Sequence, residues 1–365
     1  MHDHEPVSRR QLILASAATA GGALGGWLGP STLALAGDET DWPLRPAPDA
    51  GIDPAALQRI LDDARAFAPL RSLLVVRHGA LIAEHLGDGT SATELQALNS
   101  ITKSVASMLV GISLDQGRLP GLSATLGELL PEAVAKAPDS RVAAITLEQI
   151  LTGTTGLVYD FARQLRALDS AEDPVAFTLG LDIDPALPHP WVYNDAAVSL
   201  LTPILERAHG RPVEEIATRH LFGPLGIVRF SGQRDRTGRV MSYRGLRLGA
   251  RDLARLAWTM ADDGRWNGAA VVPADWVRAS TRPHVPTTWG VVPMRRTGYG
   301  YLWFTGTLGG HPVAWAWGYG AQFALVAPSL RLAVTTTATV PRGGDAMPQN
   351  HAVMTLVARI VALAA

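Results

Sequence analysis

Two periods of hydrophobic and polar residues alternate along the chain. From residue 54 to 67 apolar positions recur every three to four residues behind Asp53-Pro54, a polar residue followed by proline, which predicts an amphipathic helix. Residues 71–86, RSLLVVRHGALIAEHL, then switch to two short apolar runs joined at His78-Gly79, the pattern of a β-hairpin with His78 as a turn residue. Helical spacing returns with Ile101, Val105, Met108, Leu109 and Ile112, and Gly117 closes that helix. A similar pattern over residues 196–208 ends at Gly210, and Pro203 within it predicts a kink or an early boundary. Further helices are predicted over 212–220, 250–260 and 273–280. Strand character reappears in YGYLWF (299–304), PVAWAW (312–317), QFALVA (322–327) and LRLAVTTTAT (330–339), before a last helix over 350–363. Short links between the late strands favour antiparallel pairing. The predicted fold class is α/β of the α+β kind: an antiparallel sheet flanked by helices and built from both chain ends (53–97 and 286–365). A mainly helical domain (98–285) is inserted, with the site at the interface between the two.

The first 36 residues have a different character. Residues 8–14, SRRQLIL, set twin arginines before an uncharged Gly/Ala-rich run that ends in Ala34-Leu35-Ala36, a small-x-small cleavage pattern. The expectation is a twin-arginine signal peptide over 1–36, a periplasmic or secreted mature protein, and a linker over 37–52; an uncleaved membrane anchor is the competing reading. A net charge of −1 gives no electrostatic footprint for nucleic acid or for an acidic membrane surface, and neither is expected as a partner. The absence of cysteine excludes a thiol nucleophile, disulfides and thiolate zinc sites. The ten histidines have no metal-binding spacing, and no metal or other cofactor is expected.

Lysine is the residue type that singles out a position. Of the 32 basic residues only Lys103 and Lys136 are lysines, the rest being arginine. Arginine stays protonated at any working pH, whereas a buried lysine can give up its proton. Lys103 lies three residues after Ser100, so on a helix the two side chains share one face. At a helix N-terminus the dipole and burial both disfavour the ammonium, and a neutral amine there could take the proton of the hydroxyl. Ser100 is equally a residue type that caps helices, and both readings stand at this point. Gly111 to Asp115 lacks the final glycine of a G-x-S-x-G elbow and falls inside a helix, so it is read as core.

Read as a whole, NSITKSVASMLVGISLDQG resembles the S-x-x-K segment of the penicillin-recognising serine hydrolases, which include class C β-lactamases, D-alanyl-D-alanine peptidases, related esterases and nylon-oligomer hydrolases. The resemblance continues through ITLEQILTGTTGL, WVYNDAAVSLLTPILERAHG, GLRLGARDLARLAWTMADDGRWNG, YGYLWF and WGYGAQFALVAPSLRLAV, in that order. It implies a β-lactamase/transpeptidase-like fold and acyl transfer through Ser100, with Lys103 and Tyr193 moving protons. Tyr193-Asn194-Asp195 stands at the Y-x-N motif with Asp195 where the family has Asn. A carboxylate beside Lys103 favours the ammonium, so either Asp195 points away as a helix cap or Tyr193 is the principal base. Gly318-Tyr319-Gly320 stands at the K-T-G motif. By analogy the backbone N–H groups of Ser100 and Ala321 form the oxyanion hole. The motif's missing cation points toward substrates without a carboxylate there. Tyr159, Trp191, Trp317 and Gln322, with Asp195 and the Gly318–Gly320 segment, are the candidate substrate contacts. The implied function is an exported hydrolase of esters or amides, esters first, then short linear amide oligomers, then β-lactams or peptides. Asp195 and the missing cation leave a non-catalytic ligand-binding protein as the rival.

Overall fold

A computed structural model of the chain describes residues 42–341, 343 and 345–365, so the leader expected over 1–36 lies outside the described residues. Eight strands form one antiparallel sheet: β1 (Leu70–Arg77), β2 (Ala80–Leu86), β3 (Val285–Pro286), β4 (Arg295–Tyr299), β5 (Phe304–Leu308), β6 (His311–Gly318), β7 (Gln322–Ala327) and β8 (Leu332–Ala338). Their spatial order is β2-β1-β8-β7-β6-β5-β4-β3. The hairpin from the start of the chain therefore lies against the strand that ends the sheet, with Val75 opposite Val334. This is the predicted closure of both chain ends into one sheet.

The sequence runs of β7 and β8 are apolar or Thr-rich throughout because every residue in them is buried. Two helical layers achieve this. Helices α1 (Pro54–Ala66) and α8 (Met347–Leu363) pack on each other and on β1 and β8. On the other face α6 (Ala250–Ala261) packs on β1, β7 and β8, although the chain order puts it within the helical segment 98–285. Asp53 caps α1 by accepting the N–H groups of Ala55 and Ala56, with Pro54 at the first turn, as its position predicts. Among the described residues no helix is long and apolar enough to cross a membrane.

α2 (Ile101–Asp115) is the central helix. All residues from Ile101 to Ser113 are buried, which is why its sequence is apolar on every face. The remaining helices that matter for the site are α3 (Phe161–Ser170), α4 (Asp195–Ser199), α5 (Leu201–His209) and α7 (Ala274–Ser280). The interruption between α4 and α5 falls at Leu200, not at Pro203. Proline has no N–H to give to the carbonyl four residues back, so the helix is broken one turn before it.

Two expectations are corrected. Residues 299–304 are not a strand: Tyr299 ends β4, Phe304 opens β5, and Gly300 to Trp303 turn inward between them. Leu302 has φ 60, which does not fit extended backbone, and Gly300 packs so closely that a Cβ on it would sit 2.1 Å from the Ser280 carbonyl oxygen. The aromatics are buried there because the turn docks on helices: Leu302 donates to the Leu151 carbonyl (3.0 Å) and accepts from Ser104 Oγ (2.7 Å). The second correction concerns residues 42–52, which are packed rather than a free linker. Trp42 is buried edge-on to Trp266 (4.8 Å between centroids), and Leu44 bridges to Leu81.

Candidate active site

Ser100 sits at the position before the first residue of α2 with φ −72 and ψ −3, and its side chain makes no capping hydrogen bond. The capping alternative therefore falls away. The preceding residue, Asn99, holds a left-handed φ of 49, which Asn tolerates better than most residues. Its Nδ2 donates to the Tyr319 carbonyl (2.8 Å), fastening the turn before Ser100 to the end of β6. Thr102 Oγ1 donates back to the Asn99 carbonyl (2.6 Å) and accepts the Leu246 N–H (3.1 Å). Ser100 is held rigidly but remains partly exposed.

One turn deeper, Lys103 is 2% exposed. Its Nζ donates to Ser100 Oγ (3.1 Å) and to the Tyr243 carbonyl (2.7 Å), and it is ion-paired with Asp195 Oδ1. Three acceptors match the three N–H bonds of an ammonium. The face of Tyr193 lies 4.7 Å from Nζ, a further favourable contact for a cation. Burial nonetheless pulls the Lys103 amine below its usual range, while the Asp195 charge opposes that shift. Tyr193 hydrogen-bonds Ser100; burial drives its phenol well above the usual range, helped by the Asp195 charge and opposed by the Ser100 bond. The three residues singled out in the sequence thus converge on one oxygen.

Asp195 does not point away. Asn194 is the cap of α4, its Oδ1 accepting the Ala197 N–H (2.8 Å), which leaves Asp195 at the first helical position turned into Lys103. It lies behind the lysine and out of reach of a substrate, so it is not a substrate contact.

The oxyanion assignment to Ala321 is also corrected. Its N–H donates to Asn350 Oδ1 (2.7 Å) from α8, and the residue is fully buried. The strand end beside the serine segment is Gly318-Tyr319: Tyr319 lines the same pocket as Ser100, and a Cβ on Gly318 would lie 2.2 Å from the Leu98 carbonyl oxygen. Gly318→Ala is expected to push the end of β6 off that segment. The expected result is about 1–3 kcal/mol of lost stability and about a hundredfold lower kcat/KM, measured by thermal melting and by ester turnover.

A pocket opens on Ser100, walled by Phe161, Tyr193, Trp289, Phe304, Trp317 and Tyr319, with Asp345, Ala346, Met347 and Asn350 on the side of α8. Trp289 stacks on Tyr193 (4.9 Å), and Phe304 lies edge-on to Trp317 (5.4 Å). Of the expected contacts, Trp317 and Tyr319 line this pocket. Trp191 forms the layer behind it, packed on Trp289 and Phe304. Tyr159 is buried, and its hydroxyl has no hydrogen-bond partner among the described residues. Gln322 is a clamp: its Nε2 donates to the Gly320 and Ala338 carbonyls (both 2.8 Å) and its Oε1 accepts the Ala338 N–H (3.0 Å). Gly320 has φ 81 and makes the turn before it. Phe161 and Trp289, which the motifs did not bring out, come from a helix start and from the Pro-rich connection after α7. Their only signal is an aromatic residue in an otherwise polar or Gly/Pro-rich stretch.

Ser100, Lys103 and Tyr193 cluster beneath an apolar pocket, where the antiparallel sheet meets a helical layer. Residues 63–359 match the family described as Beta-lactamase, and the chain belongs to that family. A curated relative, the 6-aminohexanoate-dimer hydrolase of Paenarthrobacter ureafaciens, is 26% identical over 225 residues, 57% of this chain. The chain spans 56% of that relative's length. Among solved structures, the octameric penicillin-binding protein homologue of Pyrococcus abyssi superposes with a TM-score of 0.66 at 16% identity, covering 85% of this chain and 78% of that one. A penicillin-binding protein homologue from Caulobacter crescentus gives 0.64 at 17%, covering 87% and 99%.

Proposed function

We propose that this protein is an exported serine hydrolase that works through an acyl-enzyme and prefers esters. The observation that carries this reading is Ser100 Oγ, partly exposed at the pocket and 3.1 Å from the buried Lys103 Nζ. Ser100 attacks the carbonyl carbon, Lys103 takes the hydroxyl proton, and Tyr193 passes a proton to the leaving group. The N–H groups of Ser100 and Tyr319 receive the developing oxyanion, and water then releases the acyl group. Export rests on the twin arginines and the Ala34-Leu35-Ala36 pattern.

The pocket argues for the substrate class. Its walls are aromatic, and among the described lining residues the one acidic or basic side chain is Asp345, an acid at the mouth. A neutral, apolar acyl group fits such walls, whereas a substrate carboxylate would meet a like charge and, among the described lining residues, no cation. β-Lactams and peptidoglycan stems are thereby disfavoured. Cleavage of short linear amide oligomers is the second reading, supported by the 26% identity to the aminohexanoate-dimer hydrolase.

The test is labelling by a fluorophosphonate probe, followed by turnover of p-nitrophenyl butyrate, aminohexanoate oligomers and nitrocefin. The expected order of activity is ester, amide, β-lactam. A protein that neither labels nor turns over any of them above the Ser100→Ala background is a binding module instead.

A further inference from the structure

Asp195 is not accounted for by the roles of Ser100, Lys103 and Tyr193. Its carboxylate and the Lys103 ammonium are 2% and 3% exposed, and the pair is the innermost charge in the site. Oδ1 holds Lys103, whereas Oδ2 is buried and without a hydrogen-bond partner among the described residues. An ionised carboxylate with one bare oxygen in apolar surroundings is costly, and so is a buried ammonium. Moving one proton from nitrogen to oxygen within the pair removes both charges and leaves their sum unchanged.

We propose that Asp195 is a positioning residue that stores the proton of Lys103, so that the amine base forms inside the protein and not by release of a proton to water. The inference rests on the serine-hydrolase reading of the site. In the acylation step a Lys103 proton passes to the Asp195 carboxylate, and the Ser100 hydroxyl proton passes to the amine nitrogen. The Oγ–carbon bond forms as the carbonyl π pair moves onto oxygen. Lys103 remains an ammonium, Asp195 has become a neutral acid, and no proton has left the site. When the leaving group departs it takes a proton through Tyr193, and Asp195 returns its proton through Lys103. The other titratable or charged groups acting on the pair are Tyr159, Tyr193, Tyr299, Tyr243, and the Asp169–Arg244 ion pair, in which Asp169 also accepts from the Tyr243 hydroxyl (2.9 Å). These are present in wild type and variant alike.

The sign of one pH shift decides the matter. If Lys103 had to lose its proton to water, the Asp195 charge would hold the ammonium, and Asp195→Asn would move the acid limb of kcat/KM to lower pH. If Asp195 stores the proton, the wild-type limb reports uptake of a second proton by the pair, which lies low. In Asp195→Asn the amine must then release its proton to solvent, and the limb moves up by at least about one pH unit. The experiment is the pH profile of p-nitrophenyl butyrate hydrolysis for wild type and Asp195→Asn, with KM expected to be unchanged and the loss to fall on kcat at neutral pH. An unmoved or lowered limb overturns the proposal. Should Asp195→Asn fail to fold, Asp195→Ser is profiled in its place and the same two directions of the limb decide. Failure of fluorophosphonate to label wild-type Ser100 would remove the hydrolase reading itself, whereas labelling with a lowered limb removes only the role of Asp195.

Discussion

Ser100→Ala is expected to lower ester turnover by at least about ten-thousand-fold, with an unchanged melting temperature. The two halves of this expectation have separate physical sources. The hydroxyl contributes nothing to the N-terminus of α2, since it makes no capping bond, and its partners are Lys103 and Tyr193. Deleting it removes a reacting atom and little else. Lys103 keeps the Tyr243 carbonyl and Asp195 as partners, so no buried charge is orphaned. The measurement is kcat with p-nitrophenyl butyrate alongside a thermal melt; turnover retained in a folded variant would remove Ser100 from the chemistry.

Lys103→Met is expected to cost both activity and about 3–5 kcal/mol of stability. Here the structural loss comes from what is left behind. Asp195 would stay buried beside a thioether with neither oxygen satisfied, and the Tyr243 carbonyl would lose its donor. Adding Asp195→Asn to the same molecule is expected to recover most of that stability and none of the activity. Equilibrium denaturation of the two single variants and the double variant measures the coupling, because residues in one buried pair are not additive. A Lys103→Met protein as stable as wild type would mean that the pair is not ionised in the folded state.

The segments whose local rules agree with their surroundings could be read from the chain alone. α1 carries its own cap and proline, and α2 is apolar on every face because it is buried on every face. The hairpin at His78-Gly79 and the three strands from β6 to β8 follow from short β-prone runs between turn residues. Ser100 and Lys103 were brought out by residue type and spacing, and Tyr193 by the resemblance at the Y-x-N motif; the fold brings the three side chains together. What failed depended on contacts distant in sequence. Residues 299–304 have the composition of a strand, yet the close approach of Gly300 to the Ser280 carbonyl turns them inward. The Ala321 N–H, in the turn between β6 and β7, is taken by Asn350 of α8, which no local pattern connects to it. The pocket walls come from α3, from the connection before β4 and from the sheet, and nothing in the sequence says that Phe161, Trp289 and Phe304 meet.

The placement of β1 between β2 and β8 has a consequence for synthesis. Ser72 and Thr337, whose hydroxyls meet at 2.6 Å, are 265 residues apart in the chain. On the ribosome the inner edge of the first hairpin waits with its backbone groups unpaired until the last strand has emerged, and an open strand edge invites wrong partners. Closure is therefore a late, non-local event that no N-terminal fragment can complete, and the nascent chain must be kept from association for nearly the whole of its translation.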